Sequence, residues 1–331
     1  MDRDQRALSR QIKYNGLRYI VIRYTGLVTN WTRRRVLGFG AGGLAVAAAG
    51  AGAVELVARG VLPGTSVLHQ LDGACSVAGP PLVFGPPGRS LSGSFYSRAR
   101  RRQVGYTIAW PPGHQPGAEL PLIVALHAYG GSHRHPLTRM SLPAAMALRV
   151  SGRPLPPMAI AAADGGPGYW NPHPGDDPMA MVIDELIPRC QEHGLGRGPG
   201  AIGTLGISMG GFGALLLAEK YPGLISAVAA ISPAVWTSYA QARAVNSGAY
   251  ASAAAFARAD AVTHAGALSR TAVRVACGVS DPFYTGVRAL ARALPPGAVI
   301  EESQGCHTGD FFAAQEPPSL SFLGRHLAAG T

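Results

Sequence analysis

Apolar residues fall along this chain in blocks of two kinds. Mostly apolar runs of five to seven residues stand at 104–110, 121–126, 158–163, 201–207, 227–231, 273–277 and 298–302. Runs that short, apolar with few polar interruptions, read as strands covered on both faces. Longer blocks at about 138–150, 177–193, 210–221, 285–294 and 310–327 space their apolar residues as helices do. The 210–221 block reads as an amphipathic helix stopped by Pro222. Residues 60–103 are rich in Pro, Gly, Ser and Arg and read as a linker followed by an edge hairpin; 233–270 is a Ser/Ala-rich, partly helical insertion. Strands alternating with helices predict a mostly parallel sheet with helices on both faces, an α/β domain over 93–331 behind a linker at 60–92.

The stretch 200–222 carries the strongest chemical signal. A strand runs into Gly206-Ile207-Ser208-Met209-Gly210, and a helix follows at once. This is the G-x-S-x-G spacing, in which a serine sits on a sharp, strained strand-to-helix turn. Glycines are required because a Cβ on either flank would strike the neighbouring strand or helix. The turn aims the first N–H groups of the helix, and its positive end, at the serine oxygen. A serine that only caps the helix is the plain alternative. A dinucleotide-binding turn fits poorly: the spacing is not G-x-G-x-x-G, and no acidic residue lies in 226–233.

A serine hydroxyl needs a base, and the base needs an orienting carboxylate. In this strand-turn-helix setting the partners follow in the order Asp or Glu, then His. Asp281 stands four residues after the 273–277 strand and His307 after the last strand. A capping Asp before Pro282 and a surface histidine are the plain readings of each. Their joint placement after successive strands favours Ser208, Asp281 and His307 as one catalytic set. The N–H groups of Met209 and Tyr129 are the expected oxyanion donors, the second from the loop after 121–126. His127 is expected to shape the pocket. His133 and His135 make an H-x-H pair, but no Cys, Asp or Glu nearby completes a ligand set, so no metal is expected. His264 and Asp260 lie in the insertion and read as a solvated face.

Charge changes the picture only at the N-terminus. The net charge is +11, yet residues 1–35 hold nine Lys/Arg against two Asp, leaving twenty against sixteen for the rest. The body is only mildly basic, and no Arg/Lys–aromatic face argues for nucleic acid. Thr32-Arg33-Arg34-Arg35 precedes nineteen uncharged residues, 36–54, mostly Gly and Ala. This resembles a twin-arginine export signal, with small-x-small cleavage sites at 49–51 and 51–53; the run is also long enough to span a bilayer. The expected partner is then the twin-arginine export machinery, and the expected location is secreted, in the cell envelope or anchored to the membrane. Outside the cytoplasm, Cys75, Cys190, Cys277 and Cys306 are free to pair, in three complete ways. A 277–306 bridge would tie the Asp281 and His307 loops together; buried free thiols are the alternative.

Leu126-His127-Ala128-Tyr129-Gly130-Gly131, the Ser208 turn, Cys277-Gly278-Val279-Ser280-Asp281-Pro282-Phe283 and Gly305-Cys306-His307 together resemble the serine esterase family of esterase D, feruloyl and acetyl-xylan esterases and the antigen 85 mycolyltransferases. The resemblance spans roughly 93–326. It implies the α/β-hydrolase fold, a Ser208–His307–Asp281 triad, no cofactor, and a carboxylic ester of small-molecule, lipid or sugar type as substrate. Tyr169-Trp170-Asn171 resembles a substrate loop, making Tyr169 and Trp170 candidate substrate contacts. Acyl transfer to an envelope sugar or lipid, or a non-catalytic envelope-binding role, are the other readings.

Overall fold

The computed structural model describes residues 74–77, 79 and 81–327. The export signal expected in 1–59 and the first part of the linker lie outside the described residues. Among the described residues no helix is long and apolar enough to cross a membrane.

One sheet organises the domain. Its eight strands are β1 (Ser90–Ser97), β2 (Arg102–Ala109), β3 (Leu122–Leu126), β4 (Ala159–Ala163), β5 (Ile202–Ile207), β6 (Ala227–Ile231), β7 (Ala272–Gly278) and β8 (Val299–Ser303). Their order is β8-β7-β6-β5-β3-β4-β2-β1. Neighbours from β8 to β4 run parallel, while β2 runs antiparallel to both β4 and β1. The predicted edge hairpin is therefore β1–β2. The four central strands β6, β5, β3 and β4 are buried at every position. Alternation splits each strand between two cores, as the pleat requires. Leu122, Val124 and Leu126 face one core and Ile123 and Ala125 the other.

The first core is closed by the helical run Pro178–Ala180, Met181–Leu186 and Ile187–Glu192, by α3 (Met209–Lys220) and by α6 (Tyr284–Ala293); we call the helical run α2. The second is closed by α1 (Leu142–Met146) and α7 (Gly309–His326). The insertion supplies α4 (Tyr239–Val245) and α5 (Ala253–Arg258). The helix expected at 138–150 is cut to α1, because Leu148–Val150 turns into a small antiparallel sheet with Val83–Phe84 and Arg153–Pro154. The middle of α2 is π-helical, with Glu185 in that stretch accepting the Arg98 and Ala99 N–H groups of the β1–β2 turn at 2.7 and 3.1 Å.

The amphipathic reading of α3 does not hold. All residues from Met209 to Glu219 are buried. The helix lies over the sheet centre with the insertion above it, so it has no wet face. Fully burying Leu215, Leu216 and Leu217 contributes about 2 kcal/mol each. Glu219 shares this environment, and neither of its carboxylate oxygens is hydrogen-bonded among the described residues. Burial raises its pKa from 4.5 to about 8, with Lys220 opposing and Asp260 adding to the shift.

That burial predicts a pH dependence of stability. The folded chain holds a proton on Glu219 that the unfolded chain releases above about pH 4.5, so stability falls as pH rises from there to about 8. Glu219→Gln removes that loss and is expected to raise unfolding free energy by about 1–2 kcal/mol at pH 8, with little effect at pH 4.5. Glu316, also buried and raised, keeps some slope in the variant. Urea unfolding across this pH range checks it; an equal gain at both pH values rejects the titration account.

Candidate active site

Ser208 sits between β5 and α3 with φ +56° and ψ −118°, a conformation costing on the order of 1–3 kcal/mol. The surroundings enforce it. The Ser208 N–H donates to the Ile231 carbonyl on β6 at 2.9 Å, and its own carbonyl accepts from Phe212 and Ala234 at 3.0 Å. A Cβ at Gly206 would overlap the Gly210 carbonyl, and one at Gly210 would overlap the Leu126 carbonyl on β3. The two glycines let the helix start directly against the sheet.

Asp281 and His307 reach this point from the next loops. His307 Nε2 lies 2.9 Å from Ser208 Oγ, and its Nδ1 lies 2.8 Å from Asp281 Oδ2. The second oxygen of Asp281 accepts the Phe283 N–H at 2.8 Å, so a buried carboxylate is held at both ends. A carboxylate only accepts, so Nδ1 carries the hydrogen and Nε2 faces the hydroxyl as an acceptor. Phe283 and Phe312 meet the imidazole edge-on, with ring centroids at 5.1 and 4.8 Å. Trp236 backs Phe283 at 4.8 Å. The sequence reading missed these aromatic walls, although Phe283 and Phe312 stand within five residues of Asp281 and His307.

The loop after β3 is a tight turn. Gly131 N–H bonds the Ala128 carbonyl at 2.9 Å, and Gly130 takes φ +76°, which this turn reserves for glycine. The N–H groups of Met209 and Tyr129 donate to no protein acceptor among the described residues. The Tyr129 side chain is 51% exposed.

The expected pocket residues fare differently. His127 is 1% exposed: its Nδ1 donates to the Ala128 carbonyl at 2.8 Å and its Nε2 accepts the Gly165 N–H at 2.9 Å. Burial lowers its pKa, which keeps it neutral. Trp170 is also 1% exposed, wedged against Gly165 and Gly213, and donates to the His127 carbonyl at 3.2 Å. Both residues lock the turn to the 164–170 loop; neither offers a surface to a substrate. Tyr169 is buried too, with φ +56°, and packs on Phe212 and Tyr250. The H-x-H pair is split: His133 bonds Thr107 through Nδ1 at 2.8 Å and its N–H meets Asp164, while His135 is exposed. Among the described residues no three His, Cys, Asp or Glu groups cluster as metal ligands.

Two contacts were not read from the sequence. Arg100, 3% exposed, bonds both oxygens of Asp176 at 2.7 and 3.0 Å and the Asp164 carbonyl, pinning the 164–177 loop to the β1–β2 turn. In an arginine run from 98 to 102 broken only by Ala99, nothing marked that one as buried. The disulfide also differs from expectation. Cys306 pairs with Cys75, not Cys277, with Cα atoms 4.8 Å apart. Cys277 and Cys190 are buried free thiols, their pKa values raised by burial, that of Cys190 to about 12. Cys277 sits inside the sheet, where its side chain faces the α6 core rather than the His307 loop.

Comparison with known proteins agrees with this architecture. No curated protein sequence matches the chain. Among solved structures, a ferulic acid esterase aligns with a TM-score of 0.61 at 17% identity, covering 73% of this chain and 99% of that one. An S-formylglutathione hydrolase from Agrobacterium tumefaciens gives 0.56 at 17% identity, covering 76% and 100%. A fluorophosphonate-binding serine hydrolase from Staphylococcus aureus gives 0.56 at 14% identity, covering 72% and 99%. At such identities the likeness is one of fold, the α/β-hydrolase fold. Residues 159–291, which hold Ser208 and Asp281, match the family profile described as Putative esterase.

Proposed function

We propose that the protein is an exported serine esterase that cleaves carboxylic esters through an acyl-enzyme. The observation that carries this reading is the unbroken chain from the strained Ser208 hydroxyl through the His307 imidazole to the buried Asp281 carboxylate. His307 Nε2 takes the Ser208 proton as Oγ attacks the ester carbonyl. Asp281 holds the imidazole in the acceptor tautomer and stabilises the imidazolium. The unpartnered N–H groups of Met209 and Tyr129 receive the negative oxygen; each such donor contributes on the order of 3 kcal/mol to transition-state stabilisation. The imidazolium then gives its proton to the departing alcohol. Water, deprotonated by the same nitrogen, releases the acid. Relatives of this fold include a ferulic acid esterase and an S-formylglutathione hydrolase, which supports an ester or thioester substrate class.

Export rests on the Arg33-Arg34 signal in the sequence. The Cys75–Cys306 disulfide supports it, since such bonds persist in oxidising compartments.

Four outcomes are expected. Ser208→Ala abolishes the burst from p-nitrophenyl esters and lowers kcat by about 10³-fold or more; a variant as fast as the parent rejects the nucleophile. Asp281→Asn lowers kcat by about 10⁴-fold because the wrong tautomer faces Ser208; labelled esters supplied with alcohol acceptors yield free acid, and an acylated acceptor as main product would instead make the protein a transferase. Replacing Arg33 and Arg34 with Lys leaves the folded protein in the cytoplasm on fractionation; unchanged export removes the twin-arginine assignment.

A further inference from the structure

The three groups of the site hang from unequal supports. Ser208 ends β5, buried at all six positions. Asp281 follows β7, buried at six of seven. His307 follows β8, the edge strand, where three of five residues are exposed and none is fully buried. The loop carrying the base is thus tied to an exposed edge strand.

Besides the bonds of the His307 ring to Asp281 and Ser208, few hydrogen bonds hold the segment between β8 and α7. The Gly305 carbonyl accepts the Ser280 N–H at 3.0 Å, and the Cys306 carbonyl accepts that of Thr308 at 2.8 Å. Gly305 itself adopts φ +151°, pressed between Phe311 and Val77. The one covalent tie is the bond from Cys306, the residue beside His307, to Cys75. Cys306 is buried, and Val77, two residues from Cys75, packs into the second core beneath the same loop. The cross-link joins positions 231 residues apart.

We propose that the Cys75–Cys306 bridge is the positioning device for His307, so that the enzyme is active when the bridge is oxidised and disabled when it is reduced. The inference rests on the esterase reading above. The bridge gives the base a second anchor, opposite the exposed strand, and holds Nε2 at hydrogen-bond distance from Ser208. A dithiol reductant supplies two electrons and two protons: the S–S bond breaks, two S–H groups form, and the reductant closes to its own disulfide. His307 then swings on Gly305, and proton transfer slows while the substrate still reaches the site. Small displacements of a catalytic base suffice, because a shift of about 1 Å can cost on the order of 100-fold in rate.

The experiment compares oxidised wild type, wild type treated with dithiothreitol and then desalted, reoxidised wild type, and Cys75→Ser, which leaves the His307 loop sequence intact. The readouts are kcat and KM with a p-nitrophenyl ester, circular dichroism, and the count of thiols accessible to a thiol reagent. Cys190, Cys277 and Cys306 are all buried, so the thiols are counted after denaturation, where reduction is expected to raise the number from two to four. The expected result is a fall in kcat of about tenfold or more with KM changed less than about threefold, a folded spectrum, and recovery on reoxidation. Reduced wild type and Cys75→Ser both as active as the oxidised enzyme overturn the proposal. If Cys75→Ser fails to fold, the reversible reduction of wild type decides alone. An oxidised wild type with no esterase activity defeats the esterase reading itself, a different result from activity that ignores the bridge.

Discussion

The close approach of α3 to the sheet governs the rest of the structure. No atom fits between Gly210 and the Leu126 carbonyl, or between Gly206 and the first turn of the helix. Ser208, caught between those glycines, has no room to relax into ordinary strand or helix geometry, and its backbone is held left-handed by hydrogen bonds to β6 and to the residues after it. The Met209 N–H at the start of the helix has no protein partner among the described residues. The strain at Ser208 and the free N–H beside it, the nucleophile and donor of the proposed mechanism, share one geometric origin. The energy that maintains it comes from elsewhere: from the four buried central strands and from a helix that exposes nothing from Met209 to Glu219. A strained turn persists only where its surroundings over-determine it.

Much of this was legible in sequence because it depends on residue types that have few substitutes. Glycines at 206 and 210 around a serine, between an apolar run and a helix, leave little other meaning. Asp281 and His307 were found through chain order alone, since a parallel sheet delivers the loops after successive strands to one rim. The parts that escaped depend on long-range packing that composition does not encode. Whether α3 is one-faced or wholly enclosed depends on the insertion above it, and Ala, Leu and Gly serve either case. The helix expected at 138–150 yielded to a small sheet because Val83–Phe84 and Arg153–Pro154 were there to pair with Leu148–Val150. Arg100 looks like its neighbours until the turn buries it against Asp176. The cysteine pairing failed for a related reason. Sequence proximity to the catalytic loops suggested Cys277, but the pleat turns that thiol into the core, and only a residue from the distant linker lies beside Cys306.

His127 and Trp170 show how a residue near a site can serve it without meeting the substrate. A neutral imidazole with both nitrogens used, and an indole donating to its carbonyl, weld the turn carrying Tyr129 to the 164–170 loop. Asp164 extends the weld by accepting the Gly105 and His133 N–H groups, and Arg100 and Asp176 close it against the β1–β2 turn. An oxyanion donor is useful only if it is already in place when charge appears. This buried polar lattice holds the turn that carries the Tyr129 N–H, the second donor of the proposed mechanism, while the Tyr129 side chain is exposed.

The opposite wall is built from rings rather than hydrogen bonds. Tyr169, Phe212, Tyr250 and Phe256 meet in tilted and edge-on pairs with centroids between 5.1 and 6.3 Å, joining the helix behind Ser208 to the insertion. Each such pair adds on the order of 1 kcal/mol beyond the area it buries. Phe212 is the pivot, because its N–H bonds the Ser208 carbonyl while its ring carries the insertion. A change of packing in the insertion therefore reaches Ser208 by two routes, through Phe212 and through the Ala234 N–H that bonds the Ser208 carbonyl. The insertion is thus fastened at the aromatic cluster, next to the helix that begins at the strained serine.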